Sequence, residues 1–222
     1  MIKIYFQIGF MLCLIFNAKA QHIIIDTVII QDQVWMVENL NVVRFRNGDP
    51  IPEAKSNEEW KNAAANKQPA WCFYNNDSIL GTKTGKLYNY YAIEDPRGLA
   101  PYGWHVATDI EWTMLVDYFG GQNKAGEQLK SKRGWYGRNG SNLSGFDARS
   151  GGWRDEDGKF TGYGTDGRWW ILKTRGLAYR SLNHKDGYVN YSDYHKGYPS
   201  ENDILSEVVD GGNGFSIRCI KD

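Results

Sequence analysis

The stretch Gly98–Trp112, reading GLAPYGWHVATDIEW, constrains the fold of this chain more than any other. Pro101 and Gly103 punctuate a turn-prone loop. Trp104, His105 and Val106 form a short extended run, and Thr108 follows with Glu111 three residues later. That spacing is a capping box. The Thr108 hydroxyl takes the Glu111 amide while the Glu111 carboxylate reaches back, so two orphan donors of the first helical turn are satisfied. Ile110, Trp112, Leu115, Val116 and Phe119 supply an apolar face, and Gly120 and Gly121 end the helix. Loop, Trp-bearing strand and abruptly capped helix make a corner against which other strands pack.

Around that corner the chain reads as short strands and loops. Thr27–Ile30 and Val34–Val37 predict a hairpin, and the poor alternation of the second strand predicts burial on both faces. Ser56 with Glu59 repeats the capping-box signal, with Trp60 as the buried anchor of a helix ending before Pro69. Ala70–Tyr74 and Leu87–Ile93 read as aromatic strands, separated by a polar loop through Gly81–Gly85. Ala125–Lys132 reads as a further short helix, and Gly134–Gly145 as irregular. The later strands are Phe146–Trp153, Phe160–Tyr163, Arg168–Leu172, Ala178–Leu182, Tyr188–Tyr191 and Phe215–Ile220, with a long polar interval from Ser192 to Asn213. Nine Trp, 14 Tyr and 25 Gly fit such a domain, in which flat rings fill the space between short strands.

The first twenty residues read differently. Lys3 precedes an apolar run from Ile4 to Phe16, and Ala18, Lys19 and Ala20 form a small-x-small cleavage site before Gln21. The run falls short of the roughly 20 residues a membrane span requires, so residues 1–20 are expected to be a secretory signal cut between Ala20 and Gln21. The mature chain, 21–222, is then one exported domain with no stable transmembrane anchor, located in the periplasm, at the cell surface or outside. Losing Lys3 and Lys19 takes the basic count from 26 to 24 against 26 acids, a net charge of −2, so no overall basic field draws in nucleic acid. Cys13 leaves with the signal. Cys72 and Cys219 remain, and an even count in an exported chain fits one bridge. Closing so long a loop is worth about 4–5 kcal/mol in the chain-entropy picture. Two lone thiols in two β-type segments are the alternative.

The order of these pieces resembles a known family. VWMVENLNVVRFRNGDPIP (Val34–Pro52), AWCFYNND (Ala70–Asp77), GKLYNYYAIEDPRGLAPYGWHVATDIEW (Gly85–Trp112), GEQLKS, SGFDARSGGWRDEDGKF (Ser144–Phe160), the pair Trp169 and Trp170, and GFSIRCIKD (Gly214–Asp222) span nearly the whole mature chain. Together they resemble the Fibrobacter succinogenes major paralogous domain of exported Bacteroidota and Fibrobacterota proteins. The resemblance implies an α+β fold similar to C-type lectins and to formylglycine-generating enzymes. Such a fold has short twisted antiparallel sheets, two main helices and long irregular loops. It also implies adjacent N- and C-terminal strands and a loop region presented as the binding face. No activity comes with it.

Residues that could carry chemistry are few. Formylglycine chemistry needs a close cysteine pair, and Cys219 has no neighbour in sequence. Calcium-dependent sugar motifs are missing, and Asp155, Glu156, Asp157 and Gly158 fail the calcium-loop spacing and read as a hairpin turn. His22, His105, His184 and His195 have no metal spacing, and His105 reads as a hydrogen-bonded boundary residue. No catalytic residue, metal or cofactor is nominated.

The candidate ligand-binding set is Trp153, Arg154, Asp155, Arg168, Trp169, Trp170, Tyr191 and Tyr194. Neighbouring strand residues point to opposite faces. One of Trp169 and Trp170 can therefore be exposed to stack on a sugar or anchor a protein, although burial of both is the plainer reading. The expected function is a non-catalytic exported module that recognises glycan or protein through aromatic-rich loops. An enzyme of the formylglycine-generating or glycan-active type and a structural envelope protein are the alternatives.

Overall fold

A computed structural model describes residues 25–173, 176–194 and 209–222, with backbone alone at 193 and 194. The proposed signal and its cleavage residues Ala20 and Gln21 lie outside the described residues, as does most of the polar interval before Asn213.

Strands β1 (Thr27–Ile30) and β2 (Gln33–Met36) form the expected hairpin, with Thr27 opposite Met36 and Gln31 taking the left-handed conformation in the turn. Helix α1 (Asn57–Ala65) carries both capping-box bonds: Glu59 N–H donates to Ser56 Oγ at 3.1 Å and Ser56 N–H to Glu59 Oε2 at 3.1 Å. Next come β3 (Trp71–Cys72), a 3-10 turn over Tyr74–Asn76, α2 (Ser78–Thr84), β4 (Leu87–Tyr88) and α3 (Tyr90–Glu94). The expected corner is β5 (Trp104–Val106) followed by α4 (Asp109–Tyr118), whose Glu111 N–H donates to Thr108 Oγ1 at 3.3 Å. Trp112, Leu115 and Val116 face inward, but Ile110 is 72% exposed, one position off the buried face. Helix α5 (Ala125–Leu129) precedes β6 (Gly151–Arg154), β7 (Phe160–Tyr163), β8 (Asp166–Ile171), β9 (Leu177–Asn183), β10 (Val189–Tyr194) and β11 (Cys219–Lys221).

The strands make three sheets, ordered β1-β2-β11-β5, β10-β9-β8-β6-β7 and β3-β4. Pairing is antiparallel except between β6 and β8. With helices alongside, this is an α+β domain. The first hairpin and the last strand lie side by side, with Ile220 opposite Trp35 on one flank and His105 on the other.

The C-terminal segment joins the sheets into one body. Gly214 exchanges backbone bonds with Arg154 of β6, and Phe215 exchanges them with Tyr88 of β4. Ser216 N–H donates to the Arg168 carbonyl of β8 at 3.0 Å before Cys219 enters the first sheet. A Cβ on Gly214 would lie 2.8 Å from the Trp60 ring, so only glycine lets the backbone pass there.

The central sheet is covered on both faces, as the burial of β8 requires. Trp169 packs with Trp35, Trp112 and Phe146 on one side, and Trp170 with Tyr90 and Phe215 on the other. Burying each such ring is worth roughly 1.5–3 kcal/mol.

The disulfide expectation is corrected. Cys72 and Cys219 are both buried and both free. Cys72 sits in the small β3-β4 sheet and packs with Trp60 and Tyr74, whereas Cys219 lies in the terminal sheet and packs with Met36 and Val106. An even cysteine count constrains parity, not position. Titration of the 21–222 chain with a chromogenic thiol reagent, without reductant, should find no reactive thiol in the native state and two in denaturant. If both appeared only after reduction, a bridge would have to be restored.

Candidate functional site

The predicted binding residues do not converge. Trp169 and Trp170 are fully buried, and their indole N–H groups are occupied: Trp169 Nε1 donates to Asn39 Oδ1 and Trp170 Nε1 to the Tyr88 carbonyl, each at 2.8 Å. Neither ring offers a face to a ligand, so of the two readings of this pair it is the plainer one, burial of both, that the structure shows. Arg154 is also buried, with its guanidinium 4.8 Å from the Trp60 ring centre and 4.5 Å from that of Phe160. It donates to the carbonyls of Gly158, Ala54 and Ser56 and to Asn57 Oδ1. Asp155 closes the β6–β7 turn by accepting from Lys159 N–H at 2.7 Å. These are fold-holding roles.

Trp153 is half-buried beneath the Arg168 guanidinium, 4.0 Å from its ring centre. Gly152 sets this up, because its left-handed backbone (φ 65°) has no room for a Cβ, which would lie 2.5 Å from the Tyr74 ring. Tyr191 lies on β10, opposite Arg180 of β9, with the Arg180 guanidinium over its ring. Strands β9 and β8 lie between it and the β6 strand of Trp153, so the two form no common site. The Tyr194 side chain lies outside the described residues.

A cleft of about 320 Å³ opens elsewhere, on the side where the end of α2 meets the loops following α5 and preceding β6. It is at the small end of ligand-pocket sizes, roughly 300–1,000 Å³. Lys83, Lys132, Arg133 and Arg149 line it, with Asp147, Tyr163 and the polar side chains of Ser131, Asn142 and Ser150. Asp77 starts the wall by accepting the Ile79 and Leu80 N–H groups, which fixes the first turn of α2. Arg149 ties the loop to the helix end: its Nη1 donates to the Lys83 carbonyl at 2.7 Å, and its Nε and Nη2 meet Asp147 Oδ2 at 2.9 and 2.8 Å. Asn142 Oδ1 accepts from Asp147 N–H at 2.8 Å, holding the loop closed. Next to Ser131 in the chain, the buried Lys130 ammonium donates to the carbonyls of Arg138, Asn183 and Asp186.

Lys83, Lys132 and Arg133 are exposed and enter no ion pair among the described residues. A second cavity of about 20 Å³, sufficient for about one water molecule, shares Lys83, Thr84, Asp147 and Arg149 with the cleft and reaches Arg218 below. Positive charge is therefore layered from rim to floor, against Asp147 in the cleft and Glu38 beneath.

Nucleophiles are poorly placed for chemistry here. Burial pushes the Cys72 and Cys219 thiols up to about 12, so both are protonated at neutral pH and inert. Asp147 is the one carboxylate among the residues lining the cleft, and Arg149 holds it. No group of three His, Cys, Asp or Glu side chains is placed to hold a metal among the described residues.

His105 is not at the cleft. Its Nε2 lies 2.8 Å from Glu111 Oε1 and its Nδ1 lies 2.7 Å from Asp222 Oδ1, so it clasps the last residue to the α4 cap. Burial opposes the charged ring, but the bonds to Asp222 and Glu111 outweigh it and raise the pKa above 6.5. The stabilisation is complete below the unfolded value of about 6.5 and is lost as pH rises through the higher folded value. His105→Gln should therefore lower the melting temperature more at about pH 6 than at about pH 9. An equal loss at both would mean that the ring charge contributes nothing.

Sequence reasoning missed the cleft cations because they come from separate segments without a shared local pattern. The one available signal was the adjacency of Lys132 and Arg133 in a loop. The family model described as Fibrobacter succinogenes major domain matches residues 28–221. No curated protein and no solved structure matches the chain.

Proposed function

We propose that this chain, which belongs to the Fibrobacter succinogenes major domain family, is an exported, non-catalytic module that recognises glycan at the cell surface. The carrying observation is the cleft: a concave, cation-rimmed depression of about 320 Å³ on a domain of otherwise balanced charge. A concavity with charged and hydroxyl-bearing side chains set among apolar surface suits a saccharide unit better than the broad, flatter surface a protein partner buries. Two further observations support the reading. The terminal strands share a sheet, as in a C-type-lectin-like plan, and the leading segment has the composition of a secretory signal. Among the described residues, no helix is long and apolar enough to cross a membrane. The binding face moves from the aromatic strands to the loops around residues 131–134 and 142–150.

The buried state of both native thiols gives a direct test. In Leu143→Cys, at an exposed position beside the cleft-lining Asn142, the new thiol is the accessible one, and attaching a maleimide-linked polymer there blocks the cleft. Unmodified Leu143→Cys should be retained on a glycan array, and the blocked form should lose that retention at an unchanged melting temperature. Retention indifferent to the block, or capture of a protein with no glycan retained, would sink the proposal.

A further inference from the structure

We infer that the saccharide taken at this cleft is acidic, carrying carboxylate or sulfate groups that meet Lys83, Lys132 and Arg133. The inference rests on the glycan-binding reading and deepens it by naming the ligand class. Three observations carry it.

First, some surface cations are paired, Lys61 with Asp157, Arg97 with Asp49 and Asp95, and Arg138 with Glu127, while exposed lysines without an ion pair among the described residues, such as Lys67, Lys124 and Lys159, stand outside the cleft. At the cleft, three cations share one depression, with no carboxylate partner among the described residues. Their mutual repulsion opposes folding, and an anion bound among them relieves it. Low-dielectric walls also focus the field into the concavity.

Second, the cleft's own carboxylate is unable to neutralise them. Asp147 Oδ2 is engaged by Arg149 Nε and Nη2, while Arg149 Nη1 is committed to the Lys83 carbonyl. Arg149 is thus a positioning residue that sets the helix end and Lys83, and the free charges remain Lys83, Lys132 and Arg133. Below them, Arg218 adds a buried guanidinium with no hydrogen-bonded carboxylate and an unpartnered Nε.

Third, the lining chemistry fits a sugar acid rather than an isolated inorganic ion. Tyr163 presents a half-buried ring, and the Ser131 and Ser150 hydroxyls, whose protons go to the Arg133 and Gly134 carbonyls, keep oxygen lone pairs as acceptors beside the cations. A flat ring accepts the C–H face of a pyranose, the serine oxygens accept hydrogen bonds from its hydroxyls, and the cations take its acid group. Two lysines make point-charge contacts rather than a bidentate fork, so carboxylate and sulfate are both accommodated.

Calorimetric titration of the 21–222 chain would compare a tetragalacturonate, a sulfated heparin tetrasaccharide, neutral cellotetraose and a single-stranded DNA oligonucleotide of matched charge. At least one acidic saccharide should bind about tenfold or more tightly than cellotetraose, with affinity falling as salt is raised. The triple variant Lys83→Gln, Lys132→Gln, Arg133→Gln should lose that advantage, and the salt dependence of the parent protein gives the same information should the variant fold poorly. Equal binding of neutral and acidic sugars, lost on blocking the cleft through Leu143→Cys, would overturn the acidic class and leave the glycan reading standing. Binding of no saccharide would overturn both. DNA bound as tightly as the acidic sugars would overturn the inference in favour of unspecific polyanion attraction.

Discussion

Replacing Trp170 with alanine should cost about 3–5 kcal/mol of stability, and Trp169→Ala about as much. For a domain of this size that lowers the melting temperature by about 10 °C. Each loss has two physical parts. The ring leaves a cavity in a close-packed cluster: Trp170 contacts Phe215 at 4.4 Å between ring centres and Tyr90 at 5.2 Å, and Trp169 contacts Trp112 at 6.0 Å. The indole N–H also abandons a buried acceptor, the Tyr88 carbonyl in one case and Asn39 Oδ1 in the other. A buried acceptor left without its donor costs about 1–3 kcal/mol. The two clusters lie on opposite faces of β8, so each variant weakens a different half of the core. Urea denaturation with a slope unchanged from the parent would read the loss directly. Unchanged stability with lost glycan retention would return the ring to the binding face.

The helix corner was legible because its rule is local. A capping box needs two residues three apart, and both Ser56 with Glu59 and Thr108 with Glu111 make the bonds that spacing demands. Two other caps were present but overlooked. Asn89 stops β4 at Tyr88 and starts α3, its Oδ1 accepting Ala92 N–H, so the aromatic run Leu87–Ile93 is half strand and half helix. Asp77 likewise starts α2 where Gly81 and the threonines read as loop. Gly81 is not a breaker there: a Cβ would lie 1.9 Å from the Phe73 ring, so its small size serves packing. Phe146–Trp153 reads as one strand but pairs as β6 only from Gly151, because Ala148 bridges to Lys130 instead.

Long-range features divided by their source. The pairing of first and last strands followed from the family resemblance, since no local pattern says which strands meet. The cysteine bridge failed because it required knowing which strands meet, whereas burial of both tryptophans, the plainer reading, follows from a central sheet covered on both faces. The cleft was illegible because ion pairing is spatial. Lys83, Lys132 and Arg133 are unremarkable in sequence until Arg149 is seen to occupy Asp147.

Arg218→Met should be about as damaging as the tryptophan losses, roughly 3–5 kcal/mol, although it replaces a buried charge with an apolar chain of similar reach. The guanidinium is 1% exposed and donates to the carbonyls of Met36 and Phe146 at 2.7 Å, to that of Val37, and to Asn39 Oδ1 at 3.0 Å. Burial lowers its pKa to about 9, which still leaves it a cation at neutral pH. Because its partners are mainly backbone carbonyls rather than a carboxylate, methionine leaves several acceptors orphaned at once where the β2 end, the Phe146 loop and the C-terminal segment meet. Arg218→Lys keeps the charge but not the fork, so one ammonium is unable to reach both the Met36 and Phe146 carbonyls and Asn39 together, and it should recover only part of the loss. Raised salt should rescue neither variant, since the network lies out of reach of screening ions. A methionine variant as stable as the parent would mean that the small cavity beside Arg218 admits water to those carbonyls, and that the cation is retained for the field it projects into the cleft above.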